Sequence, residues 1–358
     1  MNKKSVLVLF GGCSPEHEIS KKSAMAVISS LSEDKYTIIP VYVTAEGKWL
    51  LYDGAIDNLR SVSWEKYGAN AVLSPDRVNR GLLRIVGDKV RTIPVDVIFP
   101  VLHGAMGEDG TMQGLFELAG IPYVGCGVAA SAVSMDKTLT KILADTAGLV
   151  QADYTWFHVW DAEKKASVMR KMSRKPGYPC FVKPASAGSS IGITKAANKK
   201  ELEKAIAAAS EVDDKIIIEA AIDGRELECA VLGEKGEIYA SGVGEILPAA
   251  DFYDFDAKYN NAESKTVTKA DIPEETAELI RKSAVAAFRA VDGRGLARVD
   301  FFLEKATNRV IFNEINTMPG FTPISMYPAL WQAEGVAMPE LCDRLIALAL
   351  HESIESEG

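Results

Sequence analysis

The chain contains 358 residues, of which 47% are hydrophobic and 25% are charged, a composition typical of a globular protein with two or three domains. A formal net charge of −9 leaves no basic excess to neutralise phosphates, and no apolar run is long enough to cross a membrane. We therefore expect neither a nucleic-acid partner nor a membrane partner. The five cysteines are odd in number and share no metal-binding spacing, which favours reduced thiols and a cytoplasmic location.

The first third of the chain alternates between strand and helix patterns. Buried-strand runs cover residues 5–12, 37–44 and 95–102, and the segment 17–32 has helical periodicity. This βαβ-like order predicts an N-terminal domain over residues 1–125. Glycines follow the strands, and ligands of such sheets gather at the carboxyl ends of the strands. We expect a binding site at that edge.

Two further regions follow, and both mix helices with strands. The central region, residues 126–222, is predicted to contain two helices and a strand, at 136–149, 199–212 and 215–222. The last region, residues 223–358, begins with two predicted strands around a glycine turn. It continues with a polar loop, a helix, a hairpin and an amphipathic helix, at 248–270, 273–291, 297–316 and 338–353.

A loop of small residues lies in the central region, with the sequence FVKPASAGSSIGITK at residues 181–195. Successive small side chains let backbone N–H groups close around an anion, most often a phosphate. The loop matches neither familiar phosphate-binding motif, because Lys183 precedes the glycines and the dinucleotide spacing is missing. The residues therefore predict phosphate binding and leave the type of loop open.

The predicted hairpin carries the strongest chemical signal in the chain. Arg298 and Asp300 share one face of the first strand, and Glu314 and Asn316 share one face of the second, because side chains alternate along a strand. Carboxylate and amide oxygens suit Mg²⁺ together with phosphate oxygens, and Arg298 suits an anionic transition state. The alternative is a solvated polar face. The Val, Ile and Phe neighbours disfavour it, because unpaired carboxylates are costly in apolar surroundings.

These motifs resemble those of the ATP-grasp ligases and, more closely, the D-alanine–D-alanine ligase family. The resemblance covers nearly the whole chain and rests on segments in the family's order: GGCSPEHEIS, LHGAMGEDGTMQG, SMDKTLTK, FVKPASAGSSIG, IIIEAAIDGRELECAVLG, FYDFDAKY, ARVDFF and FNEINTMPGFTPISMYP. It implies an α/β (α+β) ATP-grasp fold with an N-terminal Rossmann-like βαβ domain, a small central domain and a C-terminal domain built on an antiparallel sheet. The loop at 181–195 would then be a flap over the ATP phosphates.

The activity implied by the resemblance has two steps. ATP phosphorylates the carboxylate of one D-alanine, and the amine of a second D-alanine attacks the acyl phosphate to form a dipeptide for peptidoglycan synthesis. Much of such catalysis is positioning and charge neutralisation. The resemblance also implies a cytoplasmic homodimer, ATP with two Mg²⁺ or Mn²⁺ ions, and a monovalent cation such as K⁺.

The resemblance assigns one group of residues to ATP and its metal ions. The ATP-binding residues are implied to be Lys137 and Lys183 at the α- and β-phosphates, Glu219 at adenine, Glu226 at the ribose, Lys258 at the γ-phosphate and Tyr253 in a lid. The implied metal ligands are Asp300, Glu314 and Asn316. Without the resemblance, weak surface ion pairs are the ordinary interpretation of such lysines and carboxylates. Ala220 departs from the family, which commonly has lysine there.

A second group of residues is assigned to the two amino acids. The implied catalytic set is Glu16 at the ammonium of the first D-alanine, Ser189 and Tyr259 bonded to it, and Arg298 and the Gly320 N–H at the acyl phosphate. The second D-alanine is implied to lie against His103, Ser325 and Met326. The residues alone leave simpler alternatives open: Glu16 as an acid at a helix start, Gly320 as a turn glycine and His103 as a structural cap.

The acceptor stays open between D-alanine, D-serine and D-lactate. Tyr259 and Met326 favour D-alanine, because lactate-using members of the family lack the tyrosine and serine-using members tend to have arginine at position 326. Two other classes remain as alternatives. A nucleotide-binding sensor would have no need of Arg298, and a nicotinamide-dependent oxidoreductase would have no use for the acidic hairpin.

Overall fold

The computed structural model describes residues 3–54, 68–172, 174–188, 191–247 and 265–352. Four residues of the predicted site lie outside these ranges, namely Ser189, Tyr253, Lys258 and Tyr259. No helix in the described ranges is long and apolar enough to cross a membrane. The described strands fall into three sheets.

The first sheet has seven strands in the order β6-β5-β4-β3-β2-β1-β7. They are β1 Lys4–Gly11, β2 Tyr36–Val43, β3 Trp49–Tyr52, β4 Gly68–Leu73, β5 Gly81–Val86, β6 Lys89–Pro94 and β7 Val97–Leu102. β1 pairs in parallel with β2 and β7, and the other neighbours are antiparallel. The predicted βαβ order is confirmed, and β4 to β6 extend it in a stretch to which the sequence assigned no structure.

Helices cover both faces of β1, which explains why this strand is an almost unbroken apolar run. Helix α1, His17–Ser30, packs against the face that includes Val8. Helix α2, Thr111–Ala119, packs against the opposite face, which includes Leu9. The carboxyl ends of β1 and β7 therefore open onto loops at one edge of the sheet.

Two short helices connect this sheet to the next, α3 Val128–Met135 and α4 Lys137–Thr146. Asp136 separates them and caps α4 by accepting hydrogen bonds from Thr138 N and Leu139 N. The sequence predicted one helix over residues 136–149. The structure ends that helix at Thr146 and adds α3 before it, which the sequence did not predict.

The second sheet has the order β10-β9-β11-β8. Its elements are β8 Tyr154–His158, α5 Ala162–Lys171, β9 Cys180–Pro184, β10 Thr194–Ala196, α6 Lys199–Ser210 and β11 Lys215–Ala220. Its apolar core is drawn from these elements and their immediate surroundings alone, with Phe157, Val182 and Ile216 fully buried.

The third sheet is antiparallel, in the order β14-β13-β12-β15-β16. Its strands are β12 Gly224–Glu234, β13 Glu237–Leu247, β14 Lys265–Val267, β15 Gly295–Glu304 and β16 Val310–Asn316. The last helices in the described ranges are α7 Glu274–Ala290, α8 Met326–Ala333 and α9 Met338–Ala349. α7 packs on one face, whereas α8, α9, α1 and β1 share a core on the other. β14 falls in the predicted polar loop.

The predicted hairpin of β15 and β16 is confirmed, and it contains a β-bulge. Asp300 lies opposite Glu314 and Phe301 lies opposite Phe312, so Asn313 is an extra residue in β16. Strict alternation would put Phe312 and Glu314 on the same face. The bulge instead lets Phe312 enter the core under α7 while Glu314 lines a cavity.

The four hydrophobic cores of the described residues do not divide the chain evenly. The second sheet has its own core, whereas the first and third sheets share one. Ala130 of α3 and Ala144 of α4 pack into the core of the third sheet. The domain limits 1–125, 126–222 and 223–358 stay a prediction.

Candidate active site

A cavity of about 150 Å³ lies where the loops after β1, β7 and β9 meet the face of the β15–β16 hairpin. The predicted site residues that line it are Glu16, His103, Lys137, Arg298, Glu314, Asn316, Gly320, Ser325 and Met326. Asp300 pairs with the lining residue Arg298, and the charge of the lining residue Glu314 helps to raise the pKa of Lys183. The structure therefore brings most of the described predicted residues together, and their individual roles stay predictions.

Arg298 is the central cation of the hairpin face. Its Nε and Nη2 donate to the two carboxylate oxygens of Asp300 at 2.8 and 2.7 Å, and Nε lies 3.2 Å from Glu228 Oε1. Burial opposes the charge, but Asp300 and Glu228 outweigh it and raise the pKa of Arg298 well above its ordinary value. Arg298 is thus a permanent, rigidly held cation on the cavity wall.

The predicted metal ligands share the face of the hairpin that carries Arg298. Asp300 is the cross-strand partner of Glu314, and Asn316 is the partner of Arg298. The described residues contain no cluster of three His, Cys, Asp or Glu side chains suited to an ion. A set of two carboxylates and one amide fits Mg²⁺, which keeps water and takes phosphate oxygens as further ligands.

Three lysines lie near the carboxylate of Glu219 beside the cavity, and of these Lys141 is buried while Lys137 and Lys183 are half-buried. Burial lowers the pKa of Lys137, and nearby Lys183 lowers it further. Burial would lower the pKa of Lys183 as well, but Glu219 outweighs it and raises it. Burial opposes ionisation of Glu219, yet Lys141 and Lys183 lower its pKa to about 2. The group of Lys141, Glu219 and Lys183 carries one positive charge in excess, which favours an anionic ligand beside it.

Lys141 is a residue of this cluster that the sequence reasoning missed. It lies four positions after Lys137 in α4, and residues at that spacing share one face of a helix. This spacing was the available signal. Glu226, predicted at the ribose, lies close enough to Lys183 to contribute to its raised pKa.

The loops after β1 and β7 contribute an acidic corner. Glu16 is buried just before α1, and its Oε2 approaches Gly104 so closely that a Cβ there would meet it at 2.6 Å. Gly104 also has a φ of +75°, which L side chains rarely adopt. The glycine in the LHG motif therefore makes room for the predicted ammonium ligand.

His103 is buried at the same corner and joins three elements. Its ring nitrogens lie 3.2 Å from Met318 O and 3.2 Å from Ser23 Oγ. Burial lowers its pKa, but Glu108 outweighs burial and raises it. Burial also raises the pKa of Glu108. Glu108 is a second residue that the sequence reasoning missed, although it lies in the same quoted motif as His103.

The start of α8 forms another part of the cavity wall. The Ser325 hydroxyl lies 3.0 Å from Thr322 N and 2.8 Å from Thr322 Oγ1, so it is turned away from the helix. No hydrogen bond from the Ser325 side chain caps the described helix, and its first N–H groups suit a carboxylate. A Cβ on Gly320 would meet Ser325 Oγ at 2.7 Å, so close approach requires glycine here.

Comparisons with known proteins agree with this architecture. The family models described as "D-ala D-ala ligase N-terminus" and "D-ala D-ala ligase C-terminus" match residues 5–126 and 143–347. A D-alanine–D-alanine ligase of Acetivibrio thermocellus is 50% identical over 98% of this chain and 96% of its own length.

Solved structures match over nearly the whole chain as well. The VanG D-Ala:D-Ser ligase from Enterococcus faecalis matches with a TM-score of 0.88 at 39% identity, covering 97% of this chain and 100% of that one. The D-alanine-D-alanine ligase from Coxiella burnetii gives 0.84 at 36% identity, with 98% and 95% covered. The ATP-grasp fold predicted from the sequence is confirmed, and the chain belongs to the D-alanine–D-alanine ligase family.

Proposed function

We propose that the protein joins two D-alanine molecules into D-alanyl-D-alanine, converting ATP to ADP and phosphate, in the cytoplasmic synthesis of peptidoglycan precursors. One observation carries the proposal. The cavity that contains Arg298, held between Asp300 and Glu228, also contains Lys137 and the start of α8. A single site thus offers groups for a phosphate, a developing anion and a carboxylate.

In the first step, a carboxylate oxygen of the first D-alanine attacks the γ-phosphorus of ATP, and the bond from that phosphorus to the ADP oxygen breaks. Lys137 and Lys183 bind phosphate oxygens, Glu219 and Glu226 hold the nucleoside, and Glu16 holds the ammonium of the D-alanine. Both lysines are half-buried, and they favour the charged ligand because it compensates their partial desolvation. Positioning supplies most of the catalysis in such a transfer.

In the second step, the amine of the second D-alanine attacks the acyl carbon, and the tetrahedral intermediate releases phosphate. Arg298 and the Gly320 N–H neutralise the oxyanion, which is the role of donors fixed before the reaction. Ser325 and the first N–H groups of α8, including that of Met326, bind the carboxylate of the acceptor. His103 fixes the wall beside it by joining the loop after β7 to α1.

We further propose that Asp300, Glu314 and Asn316 would hold two Mg²⁺ ions, or Mn²⁺, whose charge would neutralise phosphate oxygens. A monovalent cation such as K⁺ and a homodimer carry over from the family resemblance. Ser189, Tyr253, Lys258 and Tyr259 lie outside the described residues. The resemblance makes them the closing groups that exclude water from the acyl phosphate.

D-Serine is a second candidate acceptor, because the VanG D-Ala:D-Ser ligase from E. faecalis is 39% identical. Met326 lines the cavity at the position where serine-using relatives tend to carry arginine, which favours D-alanine. A pocket without dedicated polar groups rejects an added hydroxyl by only about 10²-fold.

Phosphate release from ATP tests both candidates. The protein is assayed with D-alanine alone, with D-alanine plus D-serine and with D-alanine plus D-lactate, each with and without Mg²⁺, and products are identified by mass spectrometry. We expect Mg²⁺-dependent release and D-alanyl-D-alanine with D-alanine alone. If D-alanyl-D-serine or D-alanyl-D-lactate exceeds D-alanyl-D-alanine, the assigned acceptor changes and the ligase activity stands. Release that does not depend on D-alanine would refute the ligase proposal.

A further inference from the structure

We infer that Lys141 is a positioning residue of the nucleotide site and acts on Lys183 through Glu219, an inference that rests on the proposed function. Lys141 lies in α4 with only 3% of its side chain exposed, and its Nζ is 2.6 Å from Glu219 Oε1. The other carboxylate oxygen, Glu219 Oε2, pairs with Lys183 Nζ. One carboxylate therefore bridges the buried ammonium group of Lys141 and the half-buried one of Lys183.

The surroundings leave Lys141 little freedom to turn elsewhere. Its Nζ lies 5.5 Å from the centre of the Tyr154 ring, and Tyr154 is the cross-strand partner of Glu219 in β8 and β11. The Tyr154 hydroxyl donates to Asp145 Oδ2 at 2.8 Å, which ties β8 back to α4. Lys141 is thus fixed between the tyrosine ring and the carboxylate of adjacent strands.

The charges explain what this arrangement does. Without Lys141, Glu219 and Lys183 would form a neutral pair. Whenever Lys183 turned to another anion, the buried carboxylate of Glu219 would be left unpaired, and an unpaired buried carboxylate is strongly unfavourable. With Lys141 present the group carries one positive charge in excess. Lys141 keeps Glu219 paired, and Lys183 is free to turn toward a phosphate.

The position of Lys141 separates this role from direct binding. Lys137, one turn earlier in α4, lines the cavity, and Lys183 keeps 14% of its side chain exposed, whereas Lys141 has only 3% exposed and faces Glu219 and Tyr154. Lys183 is close enough to Lys137 for its charge to lower the pKa of Lys137, so the two cations suit the same anion. Lys141 should therefore affect nucleotide affinity only through Glu219.

The test is a double-mutant cycle read by ADP binding. Lys141→Met, which removes the charge but keeps the length, is made alone and in a Glu219→Gln background, beside the rescue variant Lys141→Arg. Lys199→Met is the control, because Lys199 pairs with Glu203 on the surface. ADP affinity is measured by calorimetry, folding by thermal unfolding, and KM separately for ATP and D-alanine.

We expect Lys141→Met to weaken ADP binding and raise KM for ATP about tenfold, with KM for D-alanine unchanged and Lys141→Arg within about threefold of the original protein. In the Glu219→Gln background, Lys141→Met should change ADP affinity less than about twofold. Lys199→Met should have no effect on either quantity.

Three results would overturn the inference. The first is that folded Lys141→Met binds ADP as tightly as the original protein does, and the second is that it loses as much ADP affinity in the Glu219→Gln background as it does alone. If Lys141→Met does not fold, Lys141→Arg decides, and a tenfold loss there counts against the role. Absence of ADP binding by the unsubstituted protein would refute the proposed function itself. This outcome is distinguished from failure of the inference because it is seen without any variant.

Discussion

Arg298 shows how a single side chain serves both the fold and the site. Its guanidinium is held by two hydrogen bonds to Asp300 and by an ion pair with Glu228, all nearly buried. A planar guanidinium with several N–H donors is needed to make these contacts at once, and the single ammonium of lysine cannot replace it. The residue is thus expected to be irreplaceable even by another cation.

We predict that Arg298→Lys lowers D-alanine-dependent phosphate release by about 10²–10³-fold, because the fixed donor for the oxyanion is lost. ADP affinity should change much less, since the nucleotide is held by the lysine cluster. The measurement is steady-state release together with ADP calorimetry. Arg309→Lys is the matched control, because Arg309 forms an exposed pair with Glu304 at the turn of the same hairpin. Turnover within tenfold of the original would contradict the assignment.

Glu219 makes stability depend on pH in a defined direction. Its pKa in the folded protein is about 2, below the ordinary value of 4.5, because Lys141 and Lys183 outweigh burial. A carboxyl with a lowered pKa stabilises the fold above pH 4.5, and that contribution is lost as pH falls from 4.5 towards 2.

We therefore predict that Glu219→Gln is less stable than the original protein near neutral pH and that the difference shrinks below pH 4.5. Urea unfolding at a series of pH values measures this difference. Glu203→Gln, which removes a surface partner of Lys199, should stay within about 0.5 kcal/mol throughout. A difference that is constant with pH would show that the charge of Glu219 does not stabilise the fold.

The β15–β16 hairpin is the element on which the site depends, and its inner face is apolar. Phe312 is 2% exposed and packs edge-on against Phe301, with ring centres 6.1 Å apart. We predict that Phe312→Ala lowers the free energy of unfolding by about 3–5 kcal/mol, because it opens a cavity under α7. Val90→Ala, in exposed β6, is the comparison and should change stability little. Equal losses of unfolding free energy for Phe312→Ala and Val90→Ala in urea would show that the hairpin core does not determine stability.

Elements with strong local patterns are the ones that the sequence predicts well. The βαβ start and the hairpin follow from strand periodicity, and the polar face of the hairpin follows from alternation. The bulge at Asn313 cannot be predicted from the sequence of β16. An extra residue is recognised only by the register in which β16 pairs with β15. Lys141 was missed for a similar reason, since its partner Glu219 is distant in the chain, whereas Glu108 was missed although it lies in the same motif as its partner His103.

At the scale of the whole molecule, the hydrophobic cores predict which sheets unfold locally together. We predict that Ile216→Ala speeds hydrogen exchange only in the second sheet, whose core is its own. Leu345→Ala should speed exchange in both β1 and β12, because Leu345 lies in the core that the first and third sheets share. Mass spectrometry of exchanged peptides distinguishes the two patterns. Faster exchange in all three sheets for Ile216→Ala would contradict the independence of the second sheet.

The shared core has a consequence for the order of events during synthesis on the ribosome. α9 packs against α1, and Lys4 bonds to Glu352, 348 positions further along. Tyr36 likewise donates to Asp343 Oδ1 at 2.7 Å. The earliest strands to emerge must therefore wait with an uncovered apolar surface until the last helix is made. Nascent chains halted before α9 should be the ones that depend most on chaperones.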